Sequence, residues 1–277
     1  MDSELRSKHA ALASLLGELD GAVVAYSGGV DSAFLAAAAH DALGARSVAV
    51  TAVSPSLARR ELDAARSLAR ARGWNHVEVS TSEVDRPEYR RNSPDRCYWC
   101  KTELMEVLDP IARSVGASVL VGTNTDDLGD HRPGLRAARE HDARAPLAEA
   151  GLSKAEVRAL SRTLGLPTAE KLASPCLASR FAYGVEVTPE GLERVDKAEE
   201  LLRSLGFQEL RVRDHGDLAR IEVPRDLIAG AAALADEIAT GLQALGYVYV
   251  SLDLAGFRTG AMNEVLRPPS IRGPGGF

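Results

Sequence analysis

The sequence contains little cysteine: only Cys97, Cys100 and Cys176 occur among its 277 residues. An odd number of cysteines makes a poor disulfide framework. The first residues also lead into no apolar stretch of the kind that a signal peptide needs. We therefore expect a reducing, cytoplasmic compartment, in which the three thiols stay free for ligation or catalysis.

Long apolar runs are missing as well. Gly, Asp or Arg interrupts the apolar stretches, so we expect no membrane-spanning segment and no membrane partner. The formal net charge of -6 argues against broad, nonspecific binding of nucleic acid, although it leaves room for a local basic groove. With 45% apolar and 26% charged residues, the composition is that of an ordinary globular protein with a sizeable core.

Short apolar strands alternate with helical segments in the first part of the chain. The predicted strands cover residues 22–26, 47–53, 76–79 and 118–121. The predicted helices cover residues 4–19, 33–43, 57–72 and 102–115. This alternation predicts an α/β fold with a doubly wound parallel sheet.

The pattern changes near residue 170. Thr188 as N-cap and Pro189 at the first helical position predict a helix that runs to about residue 205. The elements predicted after it are strands 209–213 and 218–223, a helix at 226–245 and a strand at 247–252. This order predicts a smaller C-terminal α+β domain. We therefore expect two domains, 1–170 and 171–277, the second ending in a loose tail rich in Pro and Gly at 268–277.

A loop of small and polar residues follows the first predicted strand: Ser27, Gly28, Gly29, Val30, Asp31 and Ser32. Two glycines let the backbone turn tightly and expose its amides, and the start of the next helix favours an anion. The loop is no Walker A motif, because the lysine of that motif is missing. The alternative is a plain strand-to-helix turn. The complete string resembles the PP-loop of the ATP pyrophosphatase superfamily, which implies that all six residues bind ATP, that ATP is cleaved between its α- and β-phosphates and that Asp31 helps to hold Mg²⁺.

A second polar loop, from Gly122 through Thr123 and Asn124 to Asp127, follows the fourth predicted strand. Ligands of doubly wound sheets lie beyond the carboxyl ends of the strands. We therefore expect Gly122, Thr123 and Asn124 at the ATP site, where the glycine permits close approach and the amide can read adenine or ribose, or bind metal. The alternative is an Asx-rich turn before a helix.

The cysteines allow several kinds of chemistry. Cys97 and Cys100 form a CxxC pair, which suits a redox dithiol, half of a zinc site or two buried thiols. With Cys176 they provide three thiolates, which suit a [4Fe-4S] cluster with one open iron that carries hydrosulfide. Ser179 and Arg180 follow Cys176 closely and favour its thiolate, although a single cysteine is more often a small buried apolar residue.

Six segments, in this order, resemble the LarE family of ATP-dependent sulfur transferases, which help to make the nickel-pincer cofactor of lactate racemase. They are SGGVDS, DRCYWCK, GTNTDDLGDHRPGLRAA, SPCLASR, RVRDHGDLARIEVP and GFRTGAMNE. The resemblance implies that pyridinium-3,5-biscarboxylic acid mononucleotide is adenylated on a carboxylate and converted to a thiocarboxylate, with release of AMP and pyrophosphate. It makes 1–170 the PP-loop domain and 171–277 the domain for substrate binding and sulfur transfer.

The family contains two ways of supplying sulfur. Some members sacrifice the sulfur of a cysteine at the position of Cys176. Others also have a CxxC pair and are thought to carry sulfide on a three-cysteine [4Fe-4S] cluster. This chain has all three cysteines, so we expect Cys97, Cys100 and Cys176 to be catalytic in the cluster-dependent manner, with a separate sulfide donor. Sacrifice of Cys176 stays open.

The resemblance also implies a substrate site. Arg211 and Arg213 alternate along a predicted strand and would bind the substrate phosphate, the alternative being a solvated strand edge. Other expected substrate-binding residues are Ser179, Arg180, Trp99 and Lys101. Of these, Trp99 suits stacking on the pyridinium ring, although a tryptophan is more often part of a core.

Two further implications of the resemblance concern metal and assembly. Glu200, in a predicted helix, and Glu222, in a predicted strand, are expected to bind metal, although paired acids in a helix usually face solvent. A homo-oligomer, such as a hexamer built from dimers, is also expected.

Three other functions compete with sulfur transfer to a mononucleotide. A tRNA thiolation enzyme would need a basic RNA-binding surface, against which the acidic balance argues. An amidating enzyme would have no use for the three cysteines. A noncatalytic protein that handles nickel or another metal would have no use for the complete SGGVDS loop.

Overall fold

A computed structural model of the protein describes residues 2–129 and 133–258. The chain divides into two compact units, with the boundary between Cys176 and Leu177. The boundary that we predict from the sequence lies at residues 170 and 171. The functions assigned to the two domains stay predictions.

A parallel sheet of four strands forms the centre of the first unit. Its strands are β1 (Ala22–Ala25), β2 (Ser47–Val53), β3 (His76–Ser80) and β4 (Ser118–Leu120). The spatial order is β3-β2-β1-β4, so β1 is an inner strand, paired with β2 on one side and β4 on the other. All four residues of β1 are Ala or Val, as expected for an inner strand that is covered on both faces.

Helices cover both faces of this sheet. Val24 packs in the same buried cluster as Leu16 and Phe34, whereas its neighbour Val23 packs with Met105 and Leu108. Successive strand residues point to opposite faces, so two separate apolar layers flank β1. The structure thereby confirms the doubly wound α/β sheet.

The helices of the first unit differ widely in length. They are α1 (Ser3–Gly17), α2 (Val30–Leu43), α3 (Arg59–Arg72), α4 (Pro87–Arg90), α5 (Arg96–Ser114), α6 (Thr125–Leu128), α7 (Pro133–Glu140), α8 (Pro146–Glu149) and α9 (Lys154–Thr163). Short 3₁₀ turns occur at Gly44–Arg46, Glu83–Asp85 and Pro167–Glu170. Within the described ranges, no helix combines the length and the apolar character that a bilayer crossing requires.

The second unit has a small mixed sheet. Its strands are β5 (Arg211–Asp214), β6 (Leu218–Glu222) and β7 (Tyr249–Leu252), in that spatial order. Strand β6 pairs antiparallel with β5 and parallel with β7. Its helices are α10 (Pro189–Ser204), α11 (Ile228–Ala233) and α12 (Ala235–Ala244), with 3₁₀ turns at Leu177–Arg180 and Arg225–Leu227. The predicted α+β unit is therefore present, although Leu234 divides the predicted helix at 226–245 into α11 and α12.

Two of the helices that begin earlier than the sequence predicts carry candidate site residues. Gly29 has extended backbone and caps α2, so Asp31 and Ser32 lie in the first helical turn, upstream of the predicted start at residue 33. Helix α5 includes Cys97 and Cys100 in its first turns, although the predicted helix starts at residue 102. Polar and cysteine residues in a first turn do not extend the apolar period from which a helix start is predicted. The predicted loose tail at 268–277 lies outside the described residues.

Candidate active site

The glycine-rich loop of residues 27–32, which we expect to bind ATP and therefore call the nucleotide loop, is closed by its own two serines. The hydroxyl oxygens of Ser27 and Ser32 lie 3.1 Å apart, and the Ser27 amide donates to the Ser32 oxygen over 3.2 Å. Gly28 has a positive φ of 71°, and a Cβ there would lie 3.0 Å from the Cβ of Ala65. Glycine is therefore needed at position 28 both for the backbone conformation and for the packing of α3 against the loop.

The carboxylate of Asp31 has two partners. The Lys154 ammonium lies 2.5 Å from its Oδ2, and the Asn124 side-chain amide donates to its Oδ1 over 3.3 Å. Asn124 is nearly fully buried, and Asp31 is mostly buried. A candidate magnesium ligand thus has a cation beside one oxygen and an amide donor beside the other.

The second polar loop packs directly on the first, because β1 and β4 are neighbours in the sheet. A Cβ at Gly122 would lie only 2.9 Å from the backbone nitrogen of Ser32. Asn124 caps α6. Its side-chain oxygen accepts a hydrogen bond from the backbone amide of Asp126 over 3.0 Å, and its backbone amide donates to Asp127 Oδ2 over 3.1 Å. The carbonyl oxygen of Thr123 accepts a hydrogen bond from the backbone amide of Ala148 over 3.1 Å. The structure thus brings Gly122 and Asn124 to the nucleotide loop.

Two lysines at the nucleotide loop were missed by the sequence analysis. Lys154 opens α9, directly after its N-cap Ser153. Lys171 donates from its Nζ to the carbonyl oxygen of Gly28 over 2.8 Å and pairs with the buried carboxylate of Glu61 over 2.6 Å. The Ser153–Glu156 capping pattern does predict a helix starting at Lys154, but nothing local in the sequence shows which loop its side chain meets.

A cavity of about 340 Å³ opens beside the nucleotide loop. Its lining consists of Gly28, Ala64, Leu68, Pro167, Thr168, Glu170 and Lys171. The Thr168 hydroxyl is buried and has no hydrogen-bond partner among the described residues. The lining is mostly apolar, which suits a planar or apolar group better than a phosphate.

The three cysteines lie in the first unit and influence one another. Cys97 is exposed, and Cys100 and Cys176 are partly buried. Although Cys97 is exposed as a residue, its thiol lies among protein atoms: loss of hydration raises the pKa of the Cys97 and Cys100 thiols, and the nearby Cys176 raises both further. The thiols are therefore near enough to interact electrostatically, and their environment makes Cys97 and Cys100 harder to deprotonate than an ordinary thiol.

The surroundings of the thiols include a buried tyrosine, a buried glutamate and a lysine. The Tyr89 hydroxyl lies 2.6 Å from the Ser56 hydroxyl, and its pKa is raised by burial and then by Cys176 and Cys100. Glu83 also raises the pKa of Cys100. Burial lowers the pKa of Lys101, although both CxxC thiols oppose that shift. Lys101 is thus a cation beside the thiols that would gain stability from a bound anion.

Neither Trp99 nor the cysteines form a complete ligand site by themselves. The indole nitrogen of Trp99 donates to Asp95 over 3.2 Å, and its ring meets the Tyr98 ring edge-on at 5.1 Å. In the stretches 2–129 and 133–258, no three His, Cys, Asp or Glu side chains are grouped so as to hold a metal ion. Ligation by all three cysteines would therefore require the thiols to move closer together.

The second unit contains a cluster of arginines around two buried glutamates. Arg180 is 2% exposed and binds Glu199 twice, over 2.8 and 3.1 Å. Arg203 adds a third bond to Glu199 over 2.8 Å. Arg213 and Arg220 bind Glu222 over 2.7 and 3.0 Å. Each glutamate is therefore neutralised by two guanidinium groups.

Arg211 completes this cluster and lies close to its other arginines. Burial, with a smaller contribution from the neighbouring Arg180, lowers the pKa of Arg211 to about 10. The guanidinium group of Arg211 also lies 5.1 Å from the centre of the Phe257 ring. The five arginines outnumber the acids that they contact, which are Glu199 and Glu222 and, at 3.8–3.9 Å, Asp253 and Glu200, so the cluster is positive and suits an anion such as phosphate.

The other predicted residues of the second unit are divided between this cluster and the surface. The carbonyl oxygen of Ser179 accepts a bond from Arg213 over 3.1 Å, and its hydroxyl accepts one from Arg180 over 3.1 Å. The Glu222 carboxylate is occupied by arginines, whereas the Glu200 side chain is 70% exposed. The structure does not bring these two glutamates into a common metal site, and their metal role stays a prediction.

Comparison with known proteins identifies relatives along almost the whole chain. No protein-family model matches it. An uncharacterised protein of Synechocystis sp. is 48% identical over 95% of this chain and 99% of the relative. An uncharacterised protein of Methanocaldococcus jannaschii is 31% identical over 74% of this chain and 78% of the relative. Pyridinium-3,5-bisthiocarboxylic acid mononucleotide synthase of Lactiplantibacillus plantarum is 42% identical over 95% of this chain and 96% of its own length. The chain therefore belongs to the family of that enzyme, the LarE family that its motifs resemble.

Proposed function

We propose that the protein is an ATP-dependent sulfur transferase acting on pyridinium-3,5-biscarboxylic acid mononucleotide. It adenylates a carboxylate of this substrate and converts it to a thiocarboxylate, releasing AMP and pyrophosphate. The observation that carries this proposal is the 42% identity to the Lactiplantibacillus plantarum synthase over nearly the full length of both chains.

The nucleotide loop supports the use of ATP. Gly28 has no side chain, and neither has Gly122, which packs against the backbone of Ser32. Backbone amides rather than side chains are therefore available to a phosphate at the end of β1. Asp31 lies in the first turn of α2, where the helix dipole also favours a phosphate. Magnesium commonly combines one or two carboxylates with phosphate oxygens, so Asp31 suits a shared role with ATP. Adenylation then turns a poorly reactive carboxylate into an acyl group that a sulfur nucleophile can attack, with AMP as the leaving group.

The arginine cluster supports binding of the substrate phosphate. The pKa of Arg211 is lowered because its charge is poorly hydrated and lies close to other arginines. A phosphate bound there would offset both effects. Arg211 and Arg213 supply planar donors that match phosphate geometry, with Arg180 and Ser179 ordered beside them.

The sulfur step is assigned to the three cysteines. Cys97, Cys100 and Cys176 would hold a [4Fe-4S] cluster, which when bound supplies an open iron that can carry hydrosulfide. The three thiols influence one another electrostatically but would have to move closer together to ligate one cluster, and a metal cation would offset the loss of hydration that raises the pKa of Cys97 and Cys100. Lys101 beside them would stabilise an anionic sulfur or carboxylate. The three-cysteine route, the sulfide donor, the cytoplasmic location and the homo-oligomer stay predictions.

The deciding experiment is an anaerobic reconstitution with iron and sulfide, followed by a turnover count. The assay contains ATP, Mg²⁺ and the pyridinium dicarboxylate mononucleotide, and product is measured by mass spectrometry. A brown protein that makes more product than enzyme supports the cluster route, and Cys97→Ala should then abolish turnover. A colourless protein that makes at most one thiocarboxylate per chain, with Cys176 losing the mass of H₂S, supports sacrifice of Cys176 instead.

The same assay tests the rival functions. ATP cleavage without any thiocarboxylate would contradict the proposed substrate. Tight binding of bulk tRNA would then favour a tRNA thiolation enzyme, whereas activity that survives Cys176→Ala and consumes ammonia would favour an amidating enzyme. Metal binding without ATP cleavage would indicate a metal-handling protein.

A further inference from the structure

The contact between Lys154 and Asp31 occupies the carboxylate that the proposed function gives to magnesium. The Lys154 ammonium lies 2.5 Å from Oδ2, and Asn124 holds Oδ1 at 3.3 Å. The lysine and aspartate side chains are 36% and 21% exposed, so solvent and ions can reach the pair. Mg²⁺ and the ammonium therefore compete for the same oxygen.

The backbone of Lys154 is fixed beside both polar loops. Ser153 caps α9 through the Glu156 amide and carboxylate, which sets the first turn. The amide of Lys154 itself donates to Asp126 Oδ2 over 3.1 Å, and Asp126 belongs to the second loop. The start of α9 is thereby held in place, while the four-carbon side chain of Lys154 can still change its partner.

A cation is also missing within the nucleotide loop itself. The string from Ser27 to Ser32 contains no lysine or arginine, unlike a Walker A loop, whose lysine contacts the β- and γ-phosphates. Lys171 does reach the loop, but its ammonium is engaged by the Gly28 carbonyl and by the buried Glu61. Lys154 is paired instead with Asp31, the proposed magnesium ligand.

We propose that Lys154 exchanges its counter-ion when ATP binds. Without nucleotide, Lys154 neutralises Asp31. When Mg²⁺ and ATP enter, Mg²⁺ takes the Asp31 carboxylate and the released ammonium binds the phosphates, as a compact cation well suited to them. Lys154 is then a catalytic residue for adenylation, because it contacts the phosphate chain on which charge redistributes. This inference rests on the proposed use of ATP.

The exchange predicts changes of opposite sign when the lysine is removed. In Lys154→Met, the carboxylate of Asp31 loses a competitor, so nucleotide-free protein should bind a divalent cation more tightly, by about twofold to fivefold. The same variant loses an ammonium–phosphate contact, so its affinity for ATP with Mg²⁺ should fall by about tenfold or more. A merely structural role would weaken both kinds of binding together.

The experiment measures the two affinities in the full-length protein. Mn²⁺ binding without nucleotide is followed by electron paramagnetic resonance, and ATP binding with Mg²⁺ by calorimetry. The variants are Lys154→Met, Lys154→Arg, which keeps the charge and should retain part of the ATP affinity, and Asp31→Asn, which should lose the Mn²⁺ site. Lys8→Met is the matched control, because Lys8 pairs over 2.7 Å with Glu156 in the same first turn of α9. It should match wild type in both assays.

The outcomes separate this inference from the proposed function. Tighter Mn²⁺ binding together with weaker ATP binding in Lys154→Met supports the exchange. ATP affinity equal to wild type, or Mn²⁺ affinity that falls together with ATP affinity, overturns the exchange but leaves ATP use intact. A wild-type protein that binds no ATP at all overturns both. Thermal unfolding of each variant shows that the comparison is between folded proteins.

Discussion

The ammonium nitrogen of Lys171 lies 2.8 Å from the carbonyl oxygen of Gly28 in the nucleotide loop. Lys171 precedes Cys176 by only five residues, a stretch of chain that spans at most about 18 Å when fully extended. Arg158 holds the backbone at the start of this stretch, donating to the Lys171 carbonyl over 2.9 Å. The nucleotide loop and the proposed reactive cysteine are therefore connected by a short segment anchored at its first residue.

Replacing Lys171 should weaken both the fold and the nucleotide loop. In Lys171→Met, the buried carboxylate of Glu61 keeps, within the described part of the chain, only its longer contact with Arg60, at 3.6 Å, and Gly28 loses its side-chain donor. We expect the free energy of unfolding to fall by about 1–3 kcal/mol, as measured by urea denaturation. Adding Glu61→Gln should restore much of that loss, because it removes a buried charge that, in this variant, Arg60 alone contacts, over 3.6 Å. A double variant no more stable than the single one would argue against this account.

Replacing Gly122 tests the contact between the two polar loops. In Gly122→Ala, the new Cβ would lie 2.9 Å from the Ser32 nitrogen, so backbone must move. We expect a loss of about 1–3 kcal/mol in stability and weaker binding of ATP. Gly129→Ala is the matched control, because a Cβ at that position has no atom within 4 Å among the described residues beyond its chain neighbours. Equal effects of the two substitutions in calorimetry and urea denaturation would contradict the packing argument.

The arginine cluster predicts that two neighbouring arginines differ in what they contribute. Arg180→Met removes two bonds to Glu199, which is 1% exposed, and should cost about 3 kcal/mol of stability. Arg211→Met removes a guanidinium that is itself poorly hydrated and close to other arginines, so stability should change by no more than about 1 kcal/mol.

For the affinity for substrate, we expect the larger loss at Arg211 rather than at Arg180. Arg211→Met should bind the pyridinium mononucleotide at least about tenfold more weakly, because a charged contact with phosphate is lost. Calorimetric titration of substrate and urea denaturation of both variants provide the two measurements. A large loss of stability in Arg211→Met without any loss of substrate affinity would show that Arg211 serves the fold rather than the phosphate.

The raised pKa of Cys100 predicts a dependence of stability on pH in the metal-free protein. An ordinary thiol has a pKa of about 8.5, and burial raises that of Cys100 in the folded state. As pH rises above about 8.5, the unfolded chain therefore loses this proton first, and the free energy of unfolding falls. Other groups titrate in the same range, so the readout is the difference between wild type and Cys100→Ala in urea denaturation at pH 7.5 and 9.5. A difference that does not change between these pH values would contradict the raised pKa.

Local patterns were sufficient to predict the elements and the loops at their ends. Each strand of both sheets was predicted from the sequence: β1 and β2 are apolar runs, whereas β3 and β5 alternate valine with polar residues. The nucleotide loop could be located because its glycines and serines follow such a run directly. Gly122 and Asn124 could be expected near it, since parallel strands end at the same edge of a sheet.

The partners of the site residues could not be predicted in the same way. Lys154 and Lys171 look like ordinary surface lysines, and their meeting with Asp31 and Gly28 depends on how α9 packs. Arg180 looks like an exposed residue after a cysteine, yet it is buried because Glu199 lies opposite it. Long-range pairing of charges depends on tertiary geometry, which no local period or motif records.

The position of β1 inside the sheet has a consequence for biosynthesis. A ribosome completes β1, β2 and β3 well before Ser118 begins β4, the strand that pairs with β1 on its other side. During that interval, the backbone of Val23 and Val24 presents an apolar edge to which another nascent chain can add. Slow translation between β3 and β4 should therefore lower the yield of native protein, and chaperones that shield strand edges should raise it.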